Sequence, residues 1–235
     1  MEDFTYDNRT GRGPGRTVRV LSTVLPGVAR VWSQVEPYAD SWRAHNLQAL
    51  HQPGRRWFVL GDSLSQGIGA SAFDAGWVAL VGRRLADEGR ELSIINLSAT
   101  GARVRDVLDQ QIPILHSLTP DPEDLCSVMV GSNDLFGGRA LRDQLPDAYR
   151  ELMAHVPPGA VVSTLTQPPD AAQRANRHVE RASASGHIVM EDLRVTGPTS
   201  WRGRLASDSF HPNDAGYAAL ADAFAPTLNG VLSRS

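Results

Sequence analysis

Trp57-Phe58-Val59-Leu60-Gly61-Asp62-Ser63-Leu64-Ser65-Gln66-Gly67-Ile68-Gly69 begins with four apolar residues, turns at a glycine and continues through small and polar residues. An apolar run too short for a helix, closed by a Gly-rich turn, reads as a buried strand entering a loop. The same pattern recurs downstream. Strands are predicted at 57–60, 92–97, 125–130, 161–165 and 188–190. Helical stretches at 76–88, 103–118 (with Pro113 inside), 140–155 and 171–185 separate them, and a last helix is predicted from about Asn213 to Leu232. Alternating strands and helices build a parallel sheet with helices on both faces, and near-continuous apolar strands suit a sheet covered on both sides.

Working back from this block, 17–50 has apolar residues at Val18, Leu21, Val24, Leu25, Val28, Val31, Trp32, Val35, Tyr38 and Trp42. Steps of three and four predict an amphipathic helix, broken or kinked at Pro26 and Pro37. Its face can dock on the main domain, pair with a second copy through residues 18–42, or lie on a membrane surface. Docking is the expectation, and membrane association is not expected. Residues 1–16 are polar, with Gly11, Gly13, Pro14 and Gly15, and read as a mobile tail. The division expected is therefore tail 1–16, helical extension 17–50 and main domain 51–235.

Composition narrows the class. With 235 residues, 41% hydrophobic and 21% charged, the chain suits one globular domain and not a disordered or fibrous one. All 23 basic residues are arginines, set against 26 acidic ones, which gives no basic footprint for nucleic acid. The single cysteine, Cys126, excludes an internal disulfide and a cysteine-built metal site, and reads as a buried thiol. The first residues lack the basic and apolar regions of a signal peptide, and no run of 18 apolar residues follows, so a cytoplasmic protein is expected.

In open parallel sheets ligands bind beyond the carboxyl ends of the strands. The segments there are Gly61-Asp62-Ser63-Leu64, Asn96 to Arg103 with Gly101, Gly131-Ser132-Asn133-Asp134, and Asp208-Ser209-Phe210-His211 before the last helix. Together they supply what acyl transfer needs. A serine hydroxyl becomes a nucleophile when a base takes its proton, and a third group must orient that base. Ser63, His211 and Asp208 are the candidates. Negative charge developing on the carbonyl oxygen requires converging donors: the Ser63 N–H, the Gly101 N–H and the Asn133 amide.

These four segments resemble the four blocks of the SGNH (GDSL) hydrolase family, named for its Ser, Gly, Asn and His. The resemblance covers the chain from about Trp57 to the final helix and leaves residues 1–50 outside. It implies a flavodoxin-like three-layer α/β/α sandwich with a five-stranded parallel sheet, here carrying an N-terminal helical extension. It further implies a serine esterase that cleaves carboxylic esters, thioesters or sugar acetyl groups through an acyl-Ser63 intermediate. The substrate expected is a small acyl ester, with no metal or organic cofactor.

Other residues have plainer readings. Asp62 and Asp134 are expected to hold loops through backbone N–H groups. The remaining six histidines, 45, 51, 116, 155, 178 and 187, read as surface or packing residues, and Gly67-Ile68-Gly69 lacks the spacing of a nucleotide loop. Leu64, Leu135, Phe136, Trp201 and Phe210 flank the motifs and are candidates for a substrate pocket. Arg202 and Arg204 read as a solvated loop. Two competing readings are a metal-dependent phosphoesterase using Asp62, Asp134, Asp208 and His211, and a noncatalytic binding module on the same fold.

Overall fold

The computed structural model describes residues 4–13, 15, 23–168 and 170–234. Helices α1 (Pro26–Trp32) and α2 (Val35–Ala49) precede β1 (Arg56–Gly61). Then come α3 (Ser63–Gln66), a short 3-10 turn (Phe73–Ala75), α4 (Trp77–Asp87) and β2 (Ser93–Asn96). The next helix starts as α5 (Val104–Asp106), widens into a π-type turn (Val107–Gln111) and continues as α6 (Ile112–Ser117). After β3 (Leu125–Met129) follow α7 (Ser132–Phe136), α8 (Arg139–His155) and β4 (Val161–Ser163). The chain closes with α9 (Asp170–Ala184), β5 (Val189–Glu191), α10 (Leu193–Thr196) and α11 (Asp214–Leu232).

The five strands are parallel in the order β2-β1-β3-β4-β5, the flavodoxin-like arrangement expected. Because side chains alternate along a strand, β1 feeds two cores. Phe58 and Leu60 join Ile95, Val128 and Val162 beneath α8 and α9. Trp57 and Val59 join Trp77, Val81, Tyr217 and Phe224 from α4 and α11 on the other face. Trp77 stacks on Phe224 at 4.0 Å between ring centroids, fastening those two helices together. Cys126 is buried and unpaired, as expected. Among the described residues no helix is long and apolar enough to cross a membrane.

The N-terminal region differs from its reading in two ways. First, neither proline interrupts a helix. Pro26 begins α1 and Pro37 lies in the first turn of α2, where no backbone donor is lost, so the break falls between them at Ser33-Gln34. The apolar face docks on the chain's own core, burying Val31, Tyr38 and Trp42, while Val24 and Leu25 are exposed. Val18 and Leu21 lie outside the described residues. Second, residues 4–13 are not a loose tail. The Tyr6 hydroxyl donates to the Leu97 carbonyl (2.7 Å), and the Asn8 amide donates to the carbonyls of Asn96 (2.6 Å) and Ser98 (3.0 Å). Hydrogen bonds to buried backbone carbonyls hold a segment that has no apolar periodicity to announce it.

Candidate active site

Ser63 opens α3 immediately beyond β1. Asp62 caps that helix by accepting the Leu64 N–H at 3.0 Å, which fixes Ser63 at the sheet edge. His211 comes from the loop before α11. There Asp208 Oδ1 accepts the backbone N–H groups of Phe210 and His211, both at 3.0 Å, and Ser209 takes the left-handed conformation (φ 57°). This tight turn brings Asp208 Oδ2 to 2.6 Å from His211 Nδ1, and His211 Nε2 lies 3.0 Å from Ser63 Oγ. Carboxylate, imidazole and hydroxyl thus form one hydrogen-bonded chain, the three groups that the sequence reading nominated.

Charge on that chain is set locally. Burial pushes the Asp208 carboxyl up, but the His211 ring and the two backbone N–H bonds outweigh it and leave the carboxyl below its ordinary range. A carboxylate held ionised can stabilise the imidazolium that forms when the serine gives up its proton. Behind the imidazole, Gly69 has φ +99°, and a Cβ there would stand 2.8 Å from His211 Cβ and 2.5 Å from the Pro212 carbonyl oxygen. A side chain at 69 would displace the ring.

Asn133 lies in the first turn of α7, beyond β3. Its amide donates to the Ala102 carbonyl at 2.9 Å and lies 3.5 Å from Asp62 Oδ2, so one of its two N–H bonds is only weakly engaged. Gly101 has φ +79° with open space where a Cβ would be. Among the described residues neither the Ser63 N–H nor the Gly101 N–H meets a backbone acceptor. Gly101 itself is not among the residues lining the cleft; it is tied to Asn133 through its neighbour Ala102.

Ser63 and Asn133 open onto a cleft of about 610 Å³. Leu64, Phe136, Trp201 and Phe210 line it as expected. Leu135 does not. It is 1% exposed and packs in the core under α8, because α7 turns it away from the cleft that Phe136 faces. Val195 and Thr166 also line the cleft and were not foreseen; they follow β5 and β4 in segments without a motif. Phe136, Val195, Trp201 and Phe210 are exposed, giving the mouth an apolar rim on which Phe136 meets Phe210 edge-to-face at 5.4 Å.

Asp62 and Asp134 hold loops: Asp134 accepts the Val104 N–H at 3.1 Å. Of the four groups that the phosphoesterase reading requires, Asp62 and Asp134 are engaged by backbone N–H groups, and Asp208 and His211 by each other. Among the described residues no three His, Cys, Asp or Glu side chains are grouped to hold a metal ion. Burial pushes the Asp62 carboxyl up to about 7, opposed by the Leu64 N–H and reinforced by Asp134. A carboxyl raised on folding stabilises the fold below its unfolded pKa and loses that contribution as pH rises through the folded value. The window runs from about 4 to about 7. Asp62→Asn is therefore expected to gain stability relative to the parent as pH climbs through that window. At ~1.4 kcal/mol per pKa unit, the upper scale is a few kcal/mol. Thermal melts of both proteins at acidic and mildly alkaline pH check this; a Tm difference independent of pH would refute it.

Comparisons with known proteins agree with one another. The model of the GDSL-like Lipase/Acylhydrolase family matches residues 59–219. Esterase TesA of Pseudomonas aeruginosa is 29% identical over 183 residues, covering 74% of this chain and 88% of its own length. Among solved structures, TesA superposes with a TM-score of 0.59 at 25% identity, covering 76% of this chain and all of that one. An acetyl xylan esterase from Geobacillus stearothermophilus gives a TM-score of 0.59 at 22% identity, over 76% of this chain and 96% of its own.

Proposed function

This chain belongs to the GDSL-like lipase/acylhydrolase family, and we propose that it hydrolyses carboxylic esters of small acyl substrates through an acyl intermediate on Ser63. The observation that carries this reading is the unbroken hydrogen-bonded chain from Asp208 through His211 to Ser63, opening on a cleft large enough for an ester. In the first half-reaction His211 Nε2 takes the Ser63 proton as Oγ attacks the carbonyl carbon. The same proton then passes to the departing alcohol as the ester bond breaks. In the second, His211 takes a proton from water, hydroxide adds to the acyl carbon, and the proton returns to Ser63 as the acid leaves.

Through both steps the charged carbonyl oxygen would be held by the N–H groups of Ser63 and Gly101 and by the weakly engaged N–H of Asn133. The apolar rim of Phe136, Val195, Trp201 and Phe210 favours an ester with an apolar acyl or leaving group at the mouth. Residues 51–235 are taken as the hydrolase domain, with 17–50 as its helical extension.

A fluorophosphonate probe tests the mechanism. One equivalent should attach to Ser63, and His211→Ala should suppress the labelling. Labelling elsewhere, or undiminished labelling of the histidine variant, would overturn it. A series of p-nitrophenyl esters of rising acyl length would then size the cleft.

A further inference from the structure

We propose that Arg12, in the N-terminal segment outside the family-matched residues, is a positioning residue that holds the Gly101 turn in its working orientation. The inference rests on the reading of Gly101 and Asn133 as donors to the carbonyl oxygen. Arg12 forks onto Asp106, with Nη1 on Oδ1 and Nη2 on Oδ2, both at 2.5 Å, and its Nη2 also donates to the Gly101 carbonyl at 3.0 Å. Asp106 is nearly buried and accepts the Arg103 N–H at 2.7 Å, so the fork sits on a fixed base. A planar guanidinium can make these bonds together, whereas an ammonium is a point charge.

The turn closes on its own bond from the Ala102 N–H to the Ala99 carbonyl (2.9 Å), and side chains grip it from outside. Gly101 has no side chain to pack, its conformation is left-handed, and nothing lies where a Cβ would stand. Beyond that internal bond, its orientation is held by what grips the backbone on either side. The Thr100 N–H and hydroxyl both donate to Gln66 Oε1, the Gly101 carbonyl is held by Arg12, and the Ala102 carbonyl by Asn133. Gln66 in turn donates to the Asn8 carbonyl at 2.9 Å, so the segment carrying Arg12 is stapled to the turn at two points. Of the three grips, only that of Arg12 comes from outside the matched residues 59–219.

Loosening this grip should weaken contacts made in the transition state and leave substrate binding largely intact. For Arg12→Ala the expected result is a kcat about 10- to 100-fold lower at nearly unchanged KM, a smaller loss than deleting a donor outright. Affinity for a trifluoromethyl ketone that mimics the tetrahedral intermediate should fall by the same factor. Guanidinium chloride at millimolar concentration should restore part of kcat by occupying the vacated site beside Asp106. Arg12→Lys, which keeps charge without the fork, should remain impaired, and it carries the test if Arg12→Ala fails to fold. A folded variant with parental kcat and parental ketone affinity would overturn the proposal, even if its Tm fell. An unchanged kcat in Asn133→Ala would instead strike the donor assignment beneath it.

Discussion

A Ser63→Ala variant is expected to lose acyl-enzyme formation entirely, with kcat for a p-nitrophenyl ester falling about 10⁵- to 10⁶-fold. The geometry explains the size. Ser63 Oγ is the hydroxyl that His211 Nε2 reaches, at 3.0 Å, so the variant leaves base and carboxylate with no nucleophile to serve. His211→Ala should cost about as much, and the double variant little more than either, because the groups act as a unit. Rapid-mixing measurements check both points. A burst of product that survives in Ser63→Ala would mean that acyl transfer uses a different nucleophile.

Outside the triad, Asn133→Ala carries the largest expected effect, a kcat about 10²- to 10³-fold lower with KM little changed. The loss belongs to the transition state, because the amide bond matters most when the carbonyl oxygen becomes negative. Asn133 also braces the Ala102 carbonyl at 2.9 Å, so a fall in Tm of a few degrees should accompany the loss. Steady-state kinetics beside a thermal melt separate the two. A turnover number equal to that of the parent would remove Asn133 from the donor set.

How far the sequence could be read depended on the type of interaction involved. Strands such as 125–129 and 56–61 are legible because burial on both faces demands near-continuous apolar residues, and their ends fall within two residues of those expected. Ser63, Asp208 and His211 are legible because each follows a predicted strand or precedes the last helix in a short motif. Residues 4–13 are not. Their anchoring combines burial of the Tyr6 ring with hydrogen bonds such as Tyr6 to Leu97, 91 residues apart, and such isolated pairings leave no periodic trace. Leu135 and Phe136 are adjacent and both apolar, and only the direction of α7 sends one into the core and the other to the cleft. The π-type turn at Val107–Gln111 lies inside an otherwise regular apolar stripe, which predicts helix and carries no sign of the wider turn.

The clasp between the N-terminal region and the histidine loop imposes an order on biosynthesis. Ser207 Oγ donates to the Gly27 carbonyl across 180 residues, and a Cβ at Gly27 would stand 2.1 Å from the Ser207 carbonyl oxygen. At ordinary elongation speeds of about 5–20 residues per second, Gly27 leaves the peptidyl-transferase centre roughly 10–40 s before Ser207 exists. The Gly27 contact is thus among the last to close, whereas Tyr38 and Trp42, which donate to the carbonyls of Ala70 and Gln66, have their partners about 140 residues earlier in synthesis.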